Sequence, residues 1–291
     1  MSKEPRTMLT QHSSNKLYNT VELEQKARHI RRLILHMLTT AKSSHLGSAF
    51  SIVDVLTVLY HQILDVEKIK NKDPLRDYFI LSKGHAVSAL YATLMSVGVI
   101  PESLVTSYEK ADTKLCGHPV KDSFPGIEAS TGSLGQGLPM AVGLALAFKK
   151  DGKLNKVYAL IGDGECQEGS VWEALTLAAR YKLDNLTVIV DYNNQQAYGR
   201  PNDIMPGTLD EKFRAFCCTT TIINGHDVEA IYQALVTPTR TSIPLVIITH
   251  TIKGKGISFA EDKLEWHYRS ANQEQFEKAL KELEDPCVTS S

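Results

Sequence analysis

Apolar residues recur along this chain in two rhythms. From Thr20 to Thr40, the positions Leu23, Ala27, Ile30, Ile34, Met37 and Leu38 follow a period of about 3.6 residues, which predicts an amphipathic helix. Other apolar runs are short and unbroken. YFILS (Tyr78 to Ser82), KVYALI (Lys156 to Ile161), LTVIVD (Leu186 to Asp191) and PLVIITHT (Pro244 to Thr251) are rich in β-branched and aromatic residues and read as buried strands. Helical periods fall between them. SIVDVLTVLYHQIL (Ser51 to Leu64) predicts a helix with Ser51 as its N-cap. GHAVSALYATLMSVG, SVWEALTLAARY and HDVEAIYQALVTP predict three more, and NQEQFEKALKELED an amphipathic tail helix. TGSLGQGLPMAVGLALAFKK predicts a glycine-rich turn followed by a mostly apolar, hence buried, helix.

Strands alternating with helices predict an α/β fold, with a mostly parallel, twisted sheet covered by helices on both faces. Neither an internal repeat nor a low-complexity linker interrupts the pattern. The expected organisation is one domain over residues 20–291, behind a polar, flexible N-terminal arm over residues 1–19.

Composition narrows the classes. The chain has 291 residues, 43% apolar and 22% charged, which is ordinary for a soluble globular protein. A net charge of -1 provides no global attraction for nucleic acid or an anionic membrane. No apolar run reaches the roughly 20 residues that span a bilayer. The five cysteines form no C-x-x-C pair, which suggests reduced thiols and a cytoplasmic setting. Cys166, inside a glycine-rich stretch, reads as a small filler residue rather than a reactive thiol.

The candidate chemistry lies in two stretches, IGDGECQEG (Ile161 to Gly169) and VDYNN (Val190 to Asn194). Each follows an apolar strand. In adjacent parallel strands, Asp163 and Asn193 would be neighbours at the carboxyl ends, where open α/β sheets bind ligands. A carboxylate and an amide oxygen are hard ligands suited to Mg²⁺, which substrate phosphates and water usually complete. Gly162 and Gly164 allow close backbone approach to an anion, and a helix starting near Gly169 adds a positive dipole end. The rivals are a plain tight turn followed by a loop, and a dinucleotide-binding turn. The second needs G-x-G-x-x-G, a spacing that Gly162, Gly164 and Gly169 do not have.

GDG followed downstream by Asn-Asn resembles the thiamine diphosphate motif. Together with SKGH, GHP, ASTGSLGQGL, AARYKLDNL and HTIKGKGISF, it makes the stretch from Leu23 to Ala271 similar to the N-terminal half of a transketolase. The resemblance implies the thiamine diphosphate-binding fold and a divalent ion (Mg²⁺, or Ca²⁺ or Mn²⁺) on Asp163, Asn193 and the backbone carbonyl of Gln195. It places Gly162, Gly164 and Glu165 against the diphosphate, and Glu168 in a carboxylate network facing a partner domain. Gly132, Ser133 and Leu134 match the segment contacting the aminopyrimidine and diphosphate. His45, His118 and His267 match substrate-cavity histidines, with His267 also near the diphosphate, and His85 matches a diphosphate neighbour. His250 stands where some relatives carry a lysine near the thiazolium. Imidazoles suit such chemistry because they hold and move protons near neutral pH. Lys253 and Lys255 read as a solvated loop, and His12, His29, His36, His61 and His226 carry no functional case.

The family pattern is departed from at Ser44 and Tyr268, where glycine is usual, and at Asn194, where glycine is frequent. The resemblance implies two-carbon ketol transfer from a ketose donor to an aldose acceptor. It also implies a partner subunit with the pyrimidine-binding and C-terminal domains, in an α₂β₂ heterotetramer that binds small sugars. Three alternatives stay open: a specialised biosynthetic enzyme with a different acceptor, a 2-oxo acid dehydrogenase-type subunit, and a non-catalytic binding homologue.

Overall fold

The computed structural model describes residues 19–196, 199–204, 206–237 and 242–284. Apart from Asn19, the expected arm over residues 1–19 lies outside the described residues, as does Cys287. The strands are, in chain order, β1 (Tyr78–Leu81), β2 (Val157–Gly162), β3 (Leu186–Tyr192), β4 (Thr219–Asn224) and β5 (Leu245–His250). All pairings are parallel, in the order β1-β2-β3-β5-β4. The helices are α1 (Thr20–Ala41), α2 (Leu46–Phe50), α3 (Val53–Val58), α4 (Val66–Lys70), α5 (Val87–Ser96), α6 (Gly137–Lys150), α7 (Gly169–Arg180), α8 (Pro201–Ile204), α9 (Leu209–Ala215), α10 (Val228–Val236) and α11 (Gln273–Glu284). Among the described residues, no helix is long and apolar enough to cross a membrane.

Side chains alternate across each strand and feed two cores. In β2, Tyr158 and Leu160 join the core built with α1, α3, α5, α10 and α11. Val157, Ala159 and Ile161 join the core built with α6, α7 and α9. The predicted α/β sheet with helices on both faces is therefore present. The α1 stripe of Leu23, Ala27, Ile30, Ile34 and Met37 is buried against the first core, each large side chain contributing on the order of 1.5–3 kcal/mol. Asn19 caps the helix by accepting from the Glu22 amide at 3.3 Å.

Three elements differ from expectation. Ser51 is not an N-cap: its hydroxyl donates to the Ser48 carbonyl and to Asp191, so two short helices, α2 and α3, flank it. Beyond α3 the backbone widens into a π-helical turn over Leu59–Ile63. Helix α6 is buried on one side only: Met140 is 45% exposed, and Gly143 and Ala147 lie on the same open stripe. β4 escapes the apolar-run criterion because it is an edge strand of threonines and partly exposed isoleucines.

Candidate active site

The carboxyl ends of β2 and β3 place two buried aspartates side by side. Asp191 is fully buried and accepts from Lys83 Nζ at 2.5 Å, Ser51 Oγ at 2.8 Å, Asn193 Nδ2 at 2.9 Å and Thr251 Oγ1 at 2.5 Å. Burial alone would raise its pKa, but Lys83 and the side-chain donors outweigh it and hold the carboxyl below its usual value. Asp163 makes no ion pair among the described residues, and Lys83 acts on it only weakly from a distance. It accepts only backbone N–H groups, from Gly164 at 2.8 Å and Asn194 at 2.6 Å. Burial and the neighbouring Asp191 charge push its carboxyl up to about 7.

A third buried carboxylate ties the loops together. Glu165 accepts from Ser82 Oγ at 2.5 Å, the Gly135 amide at 2.8 Å and the Gly162 amide at 3.1 Å. These bonds join the end of β1, the glycine-rich 130s loop and the GDG turn. Glycine is required where the loops touch. A Cβ on Gly84 would sit 2.6 Å from the Thr131 backbone, and one on Gly132 (φ 147°) would sit 2.6 Å from the His118 ring.

Opposite this wall stand histidines and a lysine. His45 adopts φ 72°, a rare conformation for a residue with a side chain. Its amide donates to the His267 carbonyl at 3.1 Å, and its ring lies 5.2 Å from that of His85 and 5.3 Å from that of His267. Burial, then the charges on His118, Lys253 and Lys83, lowers the His45 pKa to about 4. Burial, then Lys253, lowers that of His267 to about 3. Burial followed by Lys83 also lowers His85. These rings are therefore neutral at pH 7.

The Lys253 side chain is buried, with Nζ 2.9 Å from His267 Nδ1 and 3.4 Å from the Gln195 carbonyl. Burial, then Lys83, brings its pKa down to about 8, and at pH 7 it is still an ammonium. A donating ammonium makes His267 Nδ1 the acceptor, so the ring proton sits on Nε2.

Between the two walls lies a cavity of about 440 Å³. It gathers the predicted Asp163, Asn193, Gln195, Gly162, Gly164, Glu165 and Glu168 with Gly132, Leu134, His45, His85, His118 and His267. Ser133 is exposed and outside the lining. His250 is not brought to the site. It shares its strand face with Val246 and Ile248, so it points across the sheet to Tyr192, 4.8 Å away, and lines a separate groove. Glu165 lies at the cavity edge as expected, but its oxygens are committed to the three loops rather than turned to an anion. Lys253 overturns the solvated-loop reading, and Lys83 and Asp191 went unassigned although SKGH and VDYNN contain them. His226 is held between Asp54 and the Ile252 amide.

The residues fit a divalent ion with a diphosphate. Among the described residues no group of three or more His, Cys, Asp or Glu side chains could hold a metal. An ion here would thus rely on the mixed oxygens of a carboxylate, an amide and a carbonyl, the set Mg²⁺ accepts with phosphate. Asp163 is a buried carboxylate in no ion pair among the described residues, and Asn193 Oδ1 accepts one bond, from the Gln195 amide at 3.1 Å. The buried Asn194 Oδ1 and Gln195 Oε1 have no hydrogen-bond partner. Lys253, a buried cation that makes no ion pair among the described residues, suits an anion.

Over residues 23–283 the sequence matches the family described as "Transketolase, thiamine diphosphate binding domain". The chain belongs to this family. Similar proteins include an apulose-4-phosphate transketolase subunit of Actinobacillus succinogenes, 44% identical over 91% of this chain and 96% of that protein. The 6-deoxy-6-sulfo-D-fructose transketolase subunit SqwG of Clostridium sp. is 38% identical over 91% of this chain and 97% of its own length. The solved transketolase of Campylobacter jejuni has the same fold, with a TM-score of 0.84 and 32% identity over 94% of this chain. This transketolase-family chain spans 44% of the length of that enzyme.

Proposed function

We propose that this chain is the N-terminal, diphosphate-binding subunit of a split, cytoplasmic transketolase. It would work with Mg²⁺ (or Ca²⁺ or Mn²⁺) and thiamine diphosphate, and would transfer a two-carbon ketol unit from a ketose donor to an aldose acceptor. The observation that carries this reading is the convergence, in one cavity, of the Asp163–Asn193 pair with His45, His85, His118, His267 and Lys253. Residues 20–291 form one diphosphate-binding domain in this account.

The geometry supports the following roles. Asp163, Asn193 and the Gln195 carbonyl would hold the divalent ion. The Gly162 and Gly164 backbones and Leu134 would line the cofactor, and His85 and Lys253 would face its anionic end. Bound thiamine diphosphate supplies the carbanion chemistry that breaks and forms the carbon–carbon bond. His267 Nε2–H is a donor for a substrate oxygen that gains negative charge. His45 has Nδ1 engaged by Ser44 Oγ at 3.0 Å, leaving Nε2 to exchange a proton with a substrate hydroxyl, with His118 alongside.

The partner is a subunit with pyrimidine-binding and C-terminal domains, in an α₂β₂ assembly. Two observations support it. The two similar proteins named above are themselves subunits. The open stripe of α6, with Met140, Gly143 and Ala147, the exposed Leu177 of α7 and the exposed Tyr181 just after it leave apolar surface for another chain. Glu168, exposed at the cavity edge, would face that partner. A specialised acceptor is favoured by Tyr268, 54% exposed beside the His267 ring at 4.6 Å, and by relatives named for apulose 4-phosphate and 6-deoxy-6-sulfo-D-fructose.

The test mixes the chain with a transketolase C-terminal half, thiamine diphosphate and Mg²⁺, then measures ketol transfer from xylulose 5-phosphate to several aldoses. Transfer only in the mixture supports the reading. Complex formation with oxo-acid decarboxylation instead, or with no thiamine diphosphate binding, would sink it.

A further inference from the structure

Beneath the loop that carries Lys253 lies a buried charged chain that the proposed chemistry does not use. Arg31 of α1 and Asp54 of α3 are each 6% exposed. The guanidinium grips the carboxylate with two bonds, Nη1 to Oδ1 at 3.0 Å and Nη2 to Oδ2 at 2.6 Å. His226, in the turn between β4 and α10, continues the chain with Nδ1 2.7 Å from Asp54 Oδ2. Its Nε2 then accepts the Ile252 amide N–H at 2.7 Å. Because Nε2 must accept, the ring proton lies on Nδ1 and is donated to Asp54.

Burying such charges is costly, and apolar side chains of the same volume would often stabilise a core as well. Here the chain ends on the amide one residue before Lys253. The His226 turn also clamps the same strand end: the Gly225 amide donates to the His250 carbonyl at 2.7 Å, and a Cβ on Gly225 would lie 2.4 Å from Thr251 Cγ2. On its far side the loop is held by the Gly254 amide, which donates to the Gly47 carbonyl at 3.1 Å, and by the Lys253 carbonyl, which accepts from the Asp262 amide at 2.9 Å. Lys253 thus leaves a backbone pinned on both sides, and its Nζ reaches His267.

We propose that His226 is a positioning residue: by fixing the Ile252 amide, it sets the loop that presents Lys253 to His267. The claim rests on the ketol-transfer reading for its effect on rate, but not for its effect on the lysine.

The experiment compares wild type, His226→Leu and His226→Gln in the complex with the partner half. Glutamine offers an oxygen to Ile252 and an N–H to Asp54; leucine offers neither. Two quantities are read: kcat against KM for ketol transfer, and the labelling rates of Lys253 and Lys83 by an amine reagent, followed by peptide mass spectrometry. Lys83 is equally buried but held by Asp191, so it reports general loosening. The expected result for His226→Leu is a kcat lower by about tenfold at saturating thiamine diphosphate. Lys253 should label at least about threefold faster with Lys83 unchanged, and His226→Gln should restore most of both. Unchanged Lys253 labelling, or a parallel rise at Lys83, would overturn the proposal. If the leucine variant does not fold, His226→Asn, which reaches Asp54 but not Ile252, is read in the same way. If the wild-type complex transfers no ketol unit, the functional reading falls, while the labelling comparison still decides the role of His226.

Discussion

The ends of β2 and β3 carry buried aspartates in opposite electrostatic states. Asp191 has a buried lysine and three further side-chain donors around it, and its carboxyl is held low. Asp163, at the neighbouring strand end, has two backbone amides and a raised pKa of about 7. Burial is similar, at 0% and 3% exposure. Partners, not burial, set the difference. One carboxylate is complete within the chain and holds α2, β1 and β3 together. The other accepts only backbone N–H groups among the described residues and would be completed by the proposed divalent ion.

Stability separates them most sharply. Asp191→Asn strands the Lys83 ammonium, and denaturant unfolding should show a loss of about 3–5 kcal/mol. Asp163→Asn removes a buried charge that makes no ion pair among the described residues and that burial and Asp191 disfavour more than Lys83 offsets, so its unfolding midpoint should be equal to or above that of the wild type. Equal losses in both variants would erase the distinction.

Acid should act through the histidine wall before it reaches Asp191. The folded pKa values of His45 and His267 fall from 6.5 to about 4 and about 3, so the unfolded chain takes up protons first. Their contribution is fully present above pH 6.5 and is lost as pH falls toward those folded values. Asp191, with its folded value lowered, retains its contribution above its ordinary 3.8 and loses it only as pH falls further. On the Asp163→Asn background, urea midpoints should decline between pH 6.5 and 4, and adding His45→Asn with His267→Asn should flatten that decline. Asparagine is chosen because it tolerates the positive φ at residue 45.

The smallest effect is expected at His250, which pairs with Tyr192 one position beyond the Asp191–Thr249 pair and lies on the opposite face of the sheet from Asp191. His250→Ala should leave thiamine diphosphate affinity within about twofold, measured by calorimetry. A large loss would mean that the far face of β5 reaches the site.

These contrasts explain what the sequence could show. Four of the five strands were legible because their apolar runs are set by local composition; β4 was not, because its threonines and alternating exposure look like a loop. Asp163 and Asn193 were legible as strand-end oxygens in a glycine context. Lys83, Asp191 and Lys253 were not, because a buried charge is defined by its partners, and those come from distant segments. Lys83 meets Asp191 across 108 positions of sequence, and Lys253 meets the Gln195 carbonyl across 58. Ser51 looked like a helix cap for the same reason, since only the fold brings Asp191 within reach of its hydroxyl. His250 looked like a site residue because neighbouring positions on a strand share a motif but not a face.

The most direct measurement of the account is the effect of Mg²⁺ on thiamine diphosphate affinity in the complex, for wild type and Asp163→Asn. The account predicts that Mg²⁺ tightens wild-type binding by about a hundredfold or more and leaves Asp163→Asn nearly unchanged. Equal tightening in both would show that the ion is held elsewhere, and that the end of β2 is not the diphosphate site.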